Sequence, residues 1–325
     1  MLAEGHSFFI YQSDSPDALA SCCRLRNALE NNEFSYTLGA GGIETGSKGV
    51  ITLNLNRIVQ DWKNEGCKVT LKERITEITE RVHKYLSAFN DIVWDYYNNG
   101  MLQIYNEGFI NLDKQFLTIG INGFVEGAEF LGYRISPDDE NYKQYAIDIL
   151  TTIKDLNKRD RQPHCKFNTE FVPAESLGVK NAKWDKQDGY WVPRDVYNSY
   201  FYIVEDTHTT PLEKFELMGK DFTGCLDGGS ALHMNLDEHL SKAQYEMLMK
   251  VAVKDGCNYF TFNIPNTVCN DCGHISKQNL KACPKCGSTN LDYLTRVIGY
   301  LKRVSNFSEA RQREAKRRYY ADNIQ

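Results

Sequence analysis

Strands and helices alternate along the 325-residue chain, and that alternation predicts an α/β fold. Two observations carry it. Leu71, Ile75, Ile78, Val82, Leu86, Phe89, Val93 and Tyr96 recur every three or four residues, which predicts a long amphipathic helix. Short β-branched runs stand on either side: VITLNL at 50–55, and residues 116–121 running into a glycine turn. The pattern alone leaves barrel and doubly wound topologies open.

The elements follow in order. The first 60 residues are rich in glycine and turns, and GAGGIETGSKG (39–49) reads as loop. Residues 139–157 read as helix, 166–171 as a short strand in a polar stretch, and 180–190 (KNAKWDKQDGY) as surface loop. Ser241 and Gln244 have capping-box spacing at the head of a helix over 241–254, and Gly256 closes it. CNYFTFNI (257–264) reads as a buried strand, DYLTRVIGYL as strand-like, and a charged helix ends the chain.

Composition narrows the function classes. Hydrophobic residues make up 42% and charged residues 25%, ordinary for a globular protein. With 38 basic and 43 acidic residues, the net charge of −5 gives no global attraction to nucleic acid or acidic lipid. No apolar run approaches the ~18–20 residues of a membrane span. The N-terminus lacks the basic and apolar regions of a secretory signal. Ten cysteines in a chain large enough to fold without disulfides read as ligands or reactive thiols in a reducing, cytoplasmic setting.

Four of them form a metal motif. Cys269-x2-Cys272 and Cys283-x2-Cys286 each bridge a tight turn, and Gly273 and Gly287 follow where the backbone must turn back. Two such knuckles supply four sulfurs, a closed structural zinc site with no open position for catalysis, with an iron–sulfur cluster as the lesser alternative. Farther on, Gly299 interrupts the β-branched run Thr295–Leu301. A bulge or close backbone packing explains most strand glycines. Near the N-terminus, Cys22 and Cys23 are adjacent, a pair that on its own reads as small buried hydrophobes.

RVIGYL, a dozen residues beyond a four-cysteine knuckle and within thirty of the C-terminus, resembles the glycyl radical loop of anaerobic (class III) ribonucleotide reductases. SDSPDALASCCRLRN, with FSYTLGAGG and GSKGVITLNLNR after it, looks like the cysteine finger loop and next barrel strand of the same enzymes. The resemblance implies that Gly299 carries the radical and Cys23, preceding Arg24, the thiyl, with Cys22 as the fallback. A Cα radical needs a planar centre delocalised over the flanking amides, which a Cβ would resist. It further implies a separate S-adenosylmethionine and iron–sulfur activating enzyme, ribonucleoside triphosphate substrates, and a dithiol or formate reductant. Surplus cysteines (Cys22, Cys67, Cys165, Cys225 and Cys257) lean towards the dithiol. Residues 117–132, 167–178 and 227–236 resemble segments around the substrate cavity, making Glu170, Glu175 and His233 its candidates. In the bland reading, His233 is a core histidine and Glu175 a structural cap or pair.

The resemblance spans the whole chain but only the C-terminal half of the family's protein. The expected architecture is therefore the second half of a ten-stranded α/β barrel. Residues 1–264 would be the half-barrel, 265–290 the zinc module, and 291–325 the radical loop and terminal helix. An exposed half-barrel predicts a partner: an N-terminal half on another polypeptide, or a full-length homologue. Three rivals stand beside this reading. A pyruvate formate-lyase-like enzyme would share the cysteine pair and glycine loop but lack the zinc module. A zinc-ribbon module for nucleic acid would want basic and aromatic residues on its flanks, and they are missing; neither DNA nor membrane is an expected partner. The third is an inactive fragment that keeps only the fold.

Overall fold

The computed structural model describes residues 1–2, 8–12, 19–20, 26–27, 46–172, 176–297 and 301–321. Cys22, Cys23, Glu175 and Gly299 lie outside them. Strand β1 is Phe9–Tyr11, and Leu19–Ala20 (β2) pairs with Arg26–Asn27 (β3). β4 (Gly46–Asn54), β5 (Gln115–Asn122) and β6 (Phe167–Glu170) form a parallel sheet, with Leu53 opposite Ile121 and Gly120 opposite Glu170. β7 (Leu232–Asn235) and β8 (Tyr259–Asn263) are also parallel, and β1 runs antiparallel along β8. The amide of Gly228 donates to Thr169 O at 3.0 Å and that of Phe171 to Gly229 O at 3.3 Å, so the approach to β7 lies against β6.

Helices cover one face of these strands, as parallel connections require. α1 (Leu55–Asn64) and α2 (Leu71–Asn98) follow β4. α3 (Phe124–Phe130), α4 (Glu140–Ala146), a π turn at Ile147–Thr151 and α5 (Thr152–Arg159) follow β5. α6 (Leu177–Gln187) and α7 (Pro211–Leu217) follow β6, and α8 (Lys242–Asp255) follows β7. The capping box at Ser241 and Gln244 is formed, and Gly256 closes α8 in the left-handed conformation at φ 72°. Among the described residues no helix is long and apolar enough to cross a membrane.

Period-two alternation sorts the strands. Leu117, Ile119 and Ile121, then Leu232 and Met234, then Phe260 and Phe262 join one apolar core with α1–α5, α7 and α8. The intervening Thr118, Asn122, His233, Asn235, Thr261 and Asn263 are buried as well. The strands thus carry an apolar face towards the helices and a polar face on the other side.

Two expectations need correcting: residues 46–49, read as loop, open β4, and residues 180–190, read as surface loop, are not one. Residues 180–190 are largely helix, as part of α6. Its buried face is Gly178, Asn181, Ala182 and Asp185, so no apolar period betrays it. Asp185, fully buried, accepts from Asn54 Nδ2 (2.9 Å), Arg57 Nε (2.7 Å) and Tyr197 Oη (2.7 Å), tying α6 to the end of β4. The apolar row on α2 also divides: Ile75, Val82 and Leu86 are buried, whereas Phe89 and Tyr96 are exposed.

Beyond β8 the chain builds an antiparallel sheet in the order β10-β9-β11-β12: Asn266–Cys269 (β9), Ile275–Ser276 (β10), Leu291–Thr295 (β11) and Lys302–Arg303 (β12). The cysteine module and the strands flanking RVIGYL therefore share one sheet. The terminal helix is α9 (Glu309–Arg317).

Candidate active site and metal centre

Four of the five parallel strands end on asparagine: Asn54, Asn122, Asn235 and Asn263; β6 ends on Glu170. The carboxyl ends of parallel strands are where α/β proteins place ligands. Asparagine suits a buried rim because one side chain supplies both donors and acceptors without charge. Asn263 Nδ2 donates to Asn235 Oδ1 (2.7 Å) and Arg296 O (3.1 Å), while its Oδ1 accepts from the Arg296 amide at 3.0 Å. Asn235 Nδ2 and Ser230 Oγ, at and before β7, are buried and make no hydrogen bond with the described residues. Such groups are costly unless a polar ligand meets them.

Of the expected cavity residues, Glu170 and His233 are buried on the polar face of β6 and β7. Glu170 Oε1 accepts from Asn168 Nδ2 at 2.8 Å, and Asn168 Oδ1 accepts from Thr118 Oγ1 at 2.7 Å. A Cβ at Gly228 would stand 2.5 Å from Glu170 Cγ and from Thr169 O, so the DGGS glycine makes room for this carboxylate. His233 Nδ1 lies 3.2 Å from the Tyr200 hydroxyl, and the Phe9 ring lies 5.5 Å from the imidazole. The Arg296 guanidinium stacks over Phe9 at 5.2 Å, and burial pushes its pKa down.

Arg296 and Val297, the first two residues of RVIGYL, are held from a second side. Arg318, just past α9, donates from Nη1 to Arg296 O (2.9 Å) and from Nη2 to Val297 O (2.8 Å). Glu314 pairs with both Arg318 and Arg311. Burial pushes Glu314 up, but the two guanidiniums outweigh it and hold the carboxyl below the usual range. Sequence reasoning missed Asn235, Asn263 and Arg318. The recurrence of asparagine at strand ends was a readable signal for the first two; nothing in FSEARQREAKRRYY distinguishes Arg318 from its basic neighbours.

The four-cysteine module is assembled as expected. The sulfurs of Cys269, Cys272, Cys283 and Cys286 all lie within 4.8 Å of one another, with Cys269–Cys286 and Cys272–Cys283 at 3.6 Å. A tetrahedral zinc with Zn–S of about 2.3 Å sets its sulfurs about 3.8 Å apart. The amides of Gly273 and Gly287 donate to Cys269 O (3.0 Å) and Cys283 O (2.9 Å), and both glycines have φ near 70° (70° and 73°). Each knuckle thus needs a residue free to turn left-handed. The Cys272 amide lowers Cys269 to about 7. The Ser288 amide draws Cys286 down, but the adjoining sulfurs raise it to about 12. Four thiols this close cannot all ionise without a cation among them, so the donor set fits Zn²⁺. Elsewhere, Cys165 and Cys257 are buried, and burial raises Cys257 to about 12, as befits packing residues.

The chain is similar in structure to an anaerobic ribonucleotide reductase at TM-score 0.79 and 28% identity, covering 97% of this chain and 50% of that one. The anaerobic ribonucleotide reductase from Thermotoga maritima in complex with dATP and CTP matches at TM-score 0.74 and 28% identity, over 94% and 50% of the two chains. The Thermotoga maritima enzyme with glycerol in the active site matches at 0.74 and 28%, over 95% and 50%. No curated protein matches significantly. The chain spans about half the length of the solved structures it resembles. The profile of the anaerobic ribonucleoside-triphosphate reductases matches residues 3–320, nearly the entire sequence, and the chain belongs to that family.

Proposed function

We propose that this chain supplies the C-terminal, radical-bearing half of an anaerobic ribonucleoside-triphosphate reductase, working with an N-terminal half on another polypeptide. Residues 1–264 would form the second half of the ten-stranded barrel, 265–290 a zinc knuckle, and 291–325 the glycyl radical loop and terminal helix. The observation that carries this reading is the anchoring of Arg296 and Val297 by Asn263, at the carboxyl end of β8, and by Arg318. Asn263 also bonds Asn235 at 2.7 Å, and Arg296 stacks over Phe9, whose ring lies 5.5 Å from His233.

In the proposed reaction, Gly299 holds the unpaired electron after activation by a separate S-adenosylmethionine-dependent enzyme. It takes hydrogen from the Cys23 thiol, with Cys22 adjacent. The thiyl removes the ribose 3′-hydrogen. The 2′-hydroxyl leaves as water, two electrons arrive with two protons from a dithiol that becomes a disulfide, or with one proton from formate that becomes CO2 and a second from solvent, and the 3′-hydrogen returns. Glu170, Glu175 and His233 are assigned to the substrate cavity, where Asn235 Nδ2 and Ser230 Oγ are suited to bind sugar hydroxyls. Zn²⁺ on Cys269, Cys272, Cys283 and Cys286 would be structural, fixing the sheet that carries both flanks of the loop.

Anaerobic treatment with the cognate activase, with and without the N-terminal half, tests this. The expected result is a glycine-radical doublet in electron paramagnetic resonance that vanishes in Gly299→Ala, chain cleavage at Gly299 on exposure to oxygen, and deoxynucleotide formation only with both halves. An activated wild-type complex without that doublet would overturn the proposal.

A further inference from the structure

The segment that carries Gly228 and Ser230 is tied to β6 by a side chain that takes the place of a strand carbonyl. Asp227 Oδ1 accepts from the Thr169 amide at 2.6 Å, and the Gly228 amide donates to Thr169 O at 3.0 Å. Both backbone groups of Thr169 are thus met before β7 begins at Leu232. Thr169 immediately precedes Glu170, and Gly228 is the residue that leaves room for the Glu170 side chain. Where Asp227 holds the segment therefore sets the places of Glu170 and of the Ser230 hydroxyl.

Asp227 is itself held from the helix layer. Buried Asn157, on α5, donates from Nδ2 to Asp227 Oδ2 (2.9 Å) and to Thr169 Oγ1 (2.8 Å). Its Oδ1 lies 2.9 Å from Nε2 of buried His83 on α2. The His83 ring stacks on Phe167 of β6 at 4.0 Å, and its Nδ1 lies 2.8 Å from Asp160 Oδ2. As a carboxylate Asp227 only accepts, so Asn157 turns its amide hydrogens towards it and its oxygen towards His83, which donates. Burial pushes the Asp227 carboxyl up, and Asn157, the Thr169 amide and Lys154 draw it back down. Each link of this buried chain has a fixed direction, from α2 through α5 to the backbone beside Glu170.

We propose that Asp227 is a positioning residue of the reductase site: through its hydrogen bonds to Thr169 and Asn157 it sets Glu170 and Ser230 against the substrate sugar. The role rests on the function proposed above, and Asp227 acts through those two side chains.

Asp227→Asn, alone and combined with Asn157→Asp, tests it. The single substitution sets an amide donor against either Asn157 Nδ2 or the Thr169 amide, so one link must break. The double substitution exchanges the roles: the amide now at 227 accepts from Thr169 and donates to the carboxylate now at 157, which also accepts from His83. In the full chain, hydrogen exchange of the Thr169 amide should quicken about tenfold or more in Asp227→Asn and return to within about threefold of wild type in the double variant. In the activated complex with the N-terminal half, Asp227→Asn should keep the wild-type glycine-radical spin count. It should lose about tenfold or more in turnover per spin, since misplacement by about 1 Å can cost about a hundredfold. The double variant should recover turnover to within about threefold. Unchanged turnover per spin in Asp227→Asn, or a double variant that regains Thr169 protection without turnover, would overturn the proposal. A wild-type complex without a glycine radical would instead sink the reductase reading, and the positioning role with it.

Discussion

Replacing Arg318 by methionine isolates the tie between the C-terminal segment and the strand leading to Gly299. Arg318 is 5% exposed, and its substitution removes three things together: the donor to Val297 O, one of two side-chain donors to Arg296 O, and one of two cations on buried Glu314. Losing one partner of a buried ion pair costs about 3–5 kcal/mol, and an orphaned carbonyl about 1–3 kcal/mol. The first figure is an upper bound, because Arg311 stays on Glu314 and Asn263 stays on Arg296 O. A net cost of about 3 kcal/mol follows. Val297 and Phe307 form a small cluster apart from the main core, so the loss should appear as local opening before global unfolding. Three kcal/mol corresponds to roughly a hundredfold increase in the open fraction. Hydrogen–deuterium exchange on peptides covering 291–297 reads it directly, with Leu248 and Phe260 in the core as an internal control. Arg318→Lys should fall between the two, since an ammonium keeps the charge but not the planar fork of donors. Exchange of 291–297 within twofold of wild type in a folded Arg318→Met protein would refute the reasoning. Under the proposed function, the same variant should form the glycine radical yet turn over fewer substrates per spin.

Other perturbations report on separate parts of the chain. Purified protein should hold one zinc per chain by elemental analysis, and Cys283→Ser should lose it and expose the β9–β12 sheet to protease, since metal binding there is folding energy. Gly228→Ala should cost about 3 kcal/mol in urea unfolding, because a Cβ 2.5 Å from Thr169 O meets backbone that cannot yield; displacement of Glu170 should also depress turnover. Buried Lys214 lies over the rings of Tyr202 (5.4 Å) and Tyr319 (5.1 Å), and burial lowers it to about 8 despite Asp206. Between about 8 and its unfolded value near 10.4, the unfolded chain binds the extra proton, so this lysine makes stability rise with pH over that window. Lys214→Met should therefore stabilise the protein by roughly 2–3 kcal/mol at pH 7, with the advantage shrinking to nothing by about pH 10.5.

The parts of the molecule that were legible in the sequence are those where one physical demand dominates. The knuckles need cysteine pairs and a following glycine, and nothing else produces that spacing. α8 carries a capping box and a closing glycine, so both ends were readable. α6 was missed because its buried face is polar, built to serve Asn54, Arg57 and Tyr197 through Asp185, and a polar interior erases the apolar period on which helix recognition relies. α2 was read correctly as a helix, and its row shows the complementary effect: Phe89 and Tyr96 continue the helical row, yet they are exposed. A periodic apolar row states only that something is to be covered, and the covering surface can belong to another molecule.

The strands carry the same lesson towards function. LTIGIN (117–122) and FTFN (260–263) alternate as half-buried strands do, which ordinarily means one face in water. Here the polar positions are as deeply buried as the apolar ones, with Asn122, His233 and Asn263 all at 0% exposure. Burying that many amides and an imidazole is tolerable only if they bond one another or a ligand. The described network accounts for Asn263, Asn168 and the lead-in to RVIGYL, and leaves Asn235 Nδ2 and Ser230 Oγ as donors without acceptors among the described residues. Under the proposed function, this enclosed face, with amide and hydroxyl donors beside the Glu170 carboxylate, would suit the hydroxylated sugar of a nucleotide. On the same proposal, the phosphates would be met by groups outside this rim, contributed by the N-terminal half.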